Sequence, residues 1–289
     1  MLTLLYFLNA LLMIGLGLGL GAWLTRRFRL GWRLYWIGAA TFLLSQVGHI
    51  PFNAFLLTPR LPQGGGTLAL AAASIALGLS AGLWEEGLRY LVLRLWAKDA
   101  RSWRTALLFG AGHGGLEAIL LGGLAFYAFL QLYALQGADL SRFAQGAQLE
   151  MLQAVLANYW SAPWHQTLLG AVERALALCL HLACAVLVMR GLRSVGWLIA
   201  AILLHAMMDA SAVFVAGQTQ NAYWAEAVVG GWALFSLLII WRLRRELEPP
   251  AGEAAPHEAA PAAAPALSAD QIQPVDDTPE NLDQSRYTL

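Results

Sequence analysis

Residues 67–96 read TLALAAASIALGLSAGLWEEGLRYLVLRLW, and the placement of this stretch decides the fold. Residues 67–84 carry no charge. An amphipathic helix of a water-soluble domain shows a polar face at every turn or two, and this run shows none. Its length fits a membrane span, which needs about 20 apolar residues. Glu85, Glu86 and Arg89 then interrupt the run before Leu91-Val92-Leu93 resumes it. Ionisable groups at bilayer depth are expensive and mark functional sites.

The rest of the chain has the same character. Of its 289 residues 58% are hydrophobic and 12% charged, against about 25% charged in soluble domains. The distribution is uneven, since nine of the eighteen acidic residues lie after position 245. Cys179 and Cys184 both fall inside one apolar run, which gives no disulfide framework and no CxxC knuckle and reads as buried helix packing. No positive charge precedes the first apolar run, so residues 3–24 read as a retained span, not a cleaved signal.

Seven apolar segments follow: 3–24, 33–57, 67–96, 104–135, 165–190, 195–217 and 222–242. The fold class expected is an all-α polytopic bundle of about seven transmembrane helices. Segment 139–160 is too polar to span and reads as a helix outside the core or at the interface. The basic residues sort by side. Arg26, Arg27, Arg29, Arg33, Arg94, Lys98, Arg101, Arg104, Arg190, Arg193, Arg242, Arg244 and Arg245 fall at alternate loops, and the opposite loops hold Arg60 and Arg142. Thirteen against two predicts an N-out, C-in orientation. Two domains are expected: residues 1–245 in the membrane, and an Ala- and Pro-rich, then acidic, disordered cytoplasmic tail over 246–289.

The polar residues inside the spans agree in depth. Glu85 and Glu86 lie about ten residues from the basic end of span 3, His113 about ten into span 4, His181 about nine from the end of span 5 and His205 about ten into span 6. Each is then about 15 Å deep, near the midplane. His113 with Glu117, and His205 with Asp209, stand four residues apart, where a carboxylate can orient an imidazole or ligate beside it. Glu85 and Arg89 share a face. Gly110-Ala111-Gly112-His113-Gly114-Gly115 lets helices approach closely and leaves room for a metal, a water and a substrate backbone. Several His and Glu ligands on facing helices, with one position open, are the pattern of a catalytic zinc site. Bound zinc brings the pKa of its water to about 7. Glu85 or Glu86 is the candidate general base, with Arg89 holding a glutamate ionised or stabilising an oxyanion. Gln46, His49 and Asn53 add polarity to span 2. His49, followed by Pro51, reads as structural or substrate-gating, and Glu173 with Arg174 as a packing ion pair or part of the site. Glu226 reads as solvated and His165 as part of an interfacial aromatic belt.

Glu85-Glu86-Gly87-Leu88-Arg89 resembles the EExxR-type first motif of the CPBP/PrsW superfamily of intramembrane metalloproteases. Gly112-His113-Gly114-Gly115-Leu116-Glu117-Ala118 and His205-Ala206-Met207-Met208-Asp209 look like its later His motifs. With Ser45-Gln46-Val47-Gly48-His49, Glu173-Arg174 and His181, the chain is most similar to the YhfC family, over essentially all of residues 1–245. CAAX prenyl proteases place three residues between the glutamate pair and the arginine, and this chain has two, which favours the PrsW- or YhfC-like reading. The resemblance implies an intramembrane metal-dependent protease with Glu85 or Glu86 as base or metal-site carboxylate and His113 as ligand or water-activating group. It implies that His205 and Asp209 complete the site. Expected partners are membrane lipid and a membrane-embedded or membrane-adjacent peptide; no nucleic acid is expected, and the sequence sets no oligomeric state. Two rival functions use the same residues: an ion- or proton-coupled transporter, and a non-catalytic scaffold or sensor with a protease-like core.

Overall fold

The computed structural model describes residues 1–62 and 64–247. Among them every regular element is helical: α1 (Leu2–Phe28), α2 (Arg33–Pro51), α3 (Thr67–Leu95), α4 (Trp103–Ala134), α5 (Ala147–Ser161), α6 (Leu169–Gly191), α7 (Val195–Thr219) and α8 (Ala222–Leu247). All but α5 are long and apolar enough to span a bilayer, giving seven candidate spans. The chain is a multi-pass membrane protein. Helices satisfy every backbone donor and acceptor within the segment, which hydrocarbon demands. The boundaries match the expected segments within a few residues. The tail expected over 246–289 lies, from 248 onward, outside the described residues; Glu246 and Leu247 close α8, and Glu246 pairs with Arg190.

Local signals explain the helix ends. Arg29 turns left-handed at φ 55° to stop α1. Ser102 and Thr105 form a reciprocal capping box at the start of α4. Arg101 reaches back to the carbonyl of Leu93 in the last turn of α3 and to those of Ala97 and Ala100 in the loop after it. Pro51 removes one backbone donor near the end of α2, and the chain continues as a π-helix over Phe52–Leu57 and a 3-10 turn over Thr58–Arg60.

α6 is the central helix, with 67% of its span buried against at most 28% for any other. α4 packs on α1, α2 and α6, while α3 packs on α7 and α2. Small residues set these distances, as expected where lipid removes the hydrophobic drive between helices. A Cβ on Gly112 would lie 1.9 Å from the Tyr35 carbonyl oxygen of α2, and one on Gly82 would lie 2.5 Å from that of Ile202 in α7. The outer surface is apolar, with Leu124, Leu234 and Trp241 more than 60% exposed. Such a surface calls for lipid as its solvent. The polar segment expected outside the bundle is α5, which is held to α1 by a Tyr6 hydroxyl donating to the Tyr159 carbonyl at 2.6 Å and by stacking of the two rings.

Candidate functional site

α3, α4, α6 and α7 bring Glu85, Glu86, Arg89, His113, Glu117, His181, His205 and Asp209 into one cluster, buried except at the half-buried Glu117 and Asp209. His113 and His181 have ring centroids 5.2 Å apart, and His181 and His205 5.6 Å. Glu86, Arg89 and His113 are fully buried. His181 reaches this layer because Gly114 has no side chain: a Cβ there would meet the imidazole at 2.6 Å.

Glu85 is the centre of the cluster. Its Oε2 lies 3.0 Å from His113 Nε2 and 3.9 Å from His205 Nε2. Its Oε1 accepts the Gln46 amide of α2 at 3.1 Å. Glu86 faces elsewhere. Its Oε1 accepts from His205 Nδ1 at 2.8 Å, and its Oε2 pairs with the Arg89 guanidinium at 3.0 Å. Arg89 therefore serves Glu86, three residues away, and not Glu85, with which it was expected to share a face. A tilt of one residue step on the helix surface decides between the two. Arg89 also donates to the His181 carbonyl at 3.3 Å.

The helical pairs divide. His205 and Asp209 stay together, Nε2 to Oδ2 3.6 Å. His113 and Glu117 do not. Glu117 turns to α6, where Oε2 meets His181 Nε2 at 2.6 Å and Oε1 accepts from Arg174. Arg174 holds Glu173 as well, so the Glu173–Arg174 pair exists and leans on the site through Glu117. His49 lies outside the imidazole cluster and is tied to it through Gln46. His165 packs against Trp164 and contacts Tyr223, both at the exposed end of the bundle. Glu226, expected to be solvated, is half-buried with Oε2 enclosed and unpaired.

Among the described residues, two groups have ligand atoms close enough to hold one metal ion: Glu85, His113 and His181, and Glu86, Cys184 and His205, each within 4.8 Å. Cys184 was read as packing alone, since nothing in its local sequence marks it. In the second group the atoms already have partners. Arg89 and His205 take both oxygens of Glu86, and the Cys184 thiol donates to the Ala201 carbonyl at 3.7 Å. The first group is also paired within the cluster, Glu85 with His113 and Gln46, and His181 with Glu117 through Nε2 and with Arg89 near Nδ1 at 3.4 Å, but it leaves one nitrogen over. His113 Nδ1 is buried with no hydrogen-bond partner, an uncommon state for an imidazole nitrogen in a core. Two imidazoles and a carboxylate are a donor set that catalytic zinc takes, with a fourth position left open. The residues present therefore fit a metal.

The outward-facing apolar grooves include one between α7 and α8 around Met207 and Trp232, and one between α1 and α6 around Gly15 and Cys179. Neither holds any of the clustered ionisable groups.

The family model described as YhfC intramembrane metalloprotease matches residues 10–229. The chain is 29% identical over 237 residues to a Bacillus subtilis (strain 168) protein described as an uncharacterized membrane protein YhfC, covering 80% of this chain and 92% of that one. No solved structure matches. The matched span runs from α1 into α8 and so contains every clustered side chain, and the chain belongs to the YhfC family of intramembrane metalloproteases.

Proposed function

We propose that this protein is a zinc-dependent protease that hydrolyses peptide bonds of membrane-embedded or membrane-adjacent substrates. The observation that carries this reading is the convergence of Glu85, His113 and His181 from three helices, with one potential ligand atom from each lying within 4.8 Å of the others. Glu85, His113 and His181 would hold the metal. When bound, it supplies a Lewis acid and an acidified water.

The remaining residues supply proton handling and orientation. Glu86 accepts from His205 Nδ1, so Nε2 of a neutral His205 carries the lone pair and faces Glu85 and Asp209. We assign His205 as the proton acceptor and Asp209 as the carboxylate that stabilises it when charged. This assigns the base to His205 in place of the glutamate pair, because Glu86 is committed to the Arg89 ion pair and to His205, and Glu85 stands among the donors. Glu117 accepts from His181 and Arg174 fixes Glu117, an outer layer of partners of the kind that tunes ligand imidazoles. We also propose that the amino terminus is outside and the carboxy terminus cytoplasmic in a bacterial inner membrane.

The test is zinc content of detergent-purified protein prepared without chelators and with zinc supplied. Near-stoichiometric zinc in the wild type, lost in His113→Ala and His181→Ala and retained in His205→Ala, supports both the metal and the assignment of His205. Loss in His205→Ala as well makes it a ligand. A metal-free wild type overturns the protease reading in favour of an ion-coupled transporter.

A further inference from the structure

A row of polar side chains runs from Glu85 along α2, away from the basic loops. The Ser80 hydroxyl of α3 donates to Asn53 Oδ1 at 2.6 Å. Asn53 Nδ2 contacts His49 Nε2 at 2.9 Å, His49 Nδ1 contacts Gln46 Oε1 at 3.3 Å, and Gln46 Nε2 donates to Glu85 Oε1 at 3.1 Å. Gln46 and His49 stand at i and i+3 on one face of α2, and the π-helix that follows brings Asn53 against His49.

These bonds have one polarity. A carboxylate oxygen accepts, so Gln46 must present its amide N–H to Glu85 and its carbonyl to His49. That carbonyl requires a proton on His49 Nδ1. The neutral ring then leaves a lone pair on Nε2, which takes the Asn53 N–H, and the Asn53 carbonyl is left to accept from Ser80. Every donor points toward Glu85. Both ring nitrogens of His49 are used, and Gln46 has a further donor contact to Ser45 Oγ at 3.3 Å. A chain filled in this way has little capacity left for a substrate.

We infer that Gln46 and His49 are positioning residues that clamp Glu85 Oε1, leaving Oε2 alone to face the imidazoles. Gln46 touches Glu85 directly, and His49 acts through Gln46 by fixing the direction of its amide. This rests on the reading of Glu85 as a metal donor. Partners of this kind change metal affinity by about 10–100-fold when removed.

Two measurements test it. In chelator competition with zinc, Gln46→Leu is expected to bind about 10–100-fold more weakly, and His49→Phe to lose a smaller factor, with thermal unfolding of both near wild type. Unchanged zinc affinity in a folded Gln46→Leu protein overturns the clamp. The second uses 15N-histidine NMR of the wild type, assigned with His49→Phe, and needs no metal. The proton on His49 Nδ1 is expected, and a proton on Nε2 reverses the chain and overturns the proposal. A wild type that binds no zinc but shows the Nδ1–H form sinks the metal reading while leaving the oriented chain in place.

Discussion

Glu117 of α4 bonds His181 of α6 at 2.6 Å, although His113 stands one turn away on its own helix. The choice ties α4 to α6 across the glycine-lined contact and links the site to Arg174. Removing the arginine should free Glu117 from His181. Arg174→Met is expected to retain zinc about 10-fold more weakly, with Arg174→Lys intermediate because a lysine cannot hold Glu117 and Glu173 in one planar fork. Chelator competition on the purified proteins measures it. Equal affinity in all three would show that Arg174 does no more than pack α6.

Arg89 is fully buried against a fully buried Glu86. Arg89→Met leaves that carboxylate with no cation and should cost about 3–5 kcal/mol of stability, read as a large drop in thermal midpoint in detergent. The exposed Arg33–Asp99 pair is the contrast. Arg33 holds the Asp99 carboxyl below the usual aspartate range. The stability it contributes is present above that range and is lost as pH falls through the lowered value. Exposed pairs contribute little, so Asp99→Asn should shift the midpoint slightly at neutral pH and not at all in acid. A larger shift for Asp99→Asn than for Arg89→Met would reverse the ranking.

Gly114 carries no side chain where a Cβ would sit 2.6 Å from the His181 ring. Gly114→Ala should push His181 out of the cluster, lose zinc, and destabilise by about 1–3 kcal/mol, the usual cost of overpacking. Gly123, with nothing within 4 Å of its would-be Cβ on the same helix, is the control. Zinc content and unfolding of Gly114→Ala and Gly123→Ala, side by side, check this, and indistinguishable behaviour would remove the steric argument.

The charge asymmetry of the loops predicts sidedness. In a background with Cys179→Ala and Cys184→Ala, Arg60→Cys should react with a membrane-impermeant maleimide in intact cells. Arg193→Cys should react only after lysis. The opposite pattern would invert the proposed topology.

The number of spans and their approximate bounds were legible in residues 3–242 because both signals are local. Hydropathy is a property of a window, and helix hydrogen bonds close within four residues. Depth was legible for the same reason: counting at a fixed rise places Glu85, His113, His181 and His205 in one layer before any contact is known. What tertiary structure alone decided was partner choice within that layer. Rotation of each helix about its axis, and the approach allowed by Gly112 and Gly114, set which atoms meet. Spacing suggested His113 with Glu117 and Glu85 with Arg89; the packed helices pair His181 with Glu117 and Glu86 with Arg89. Cys184 and Gln46 gained their places the same way. A thiol within an apolar run and an amide three residues before a histidine carry no local mark of what another helix will bring beside them.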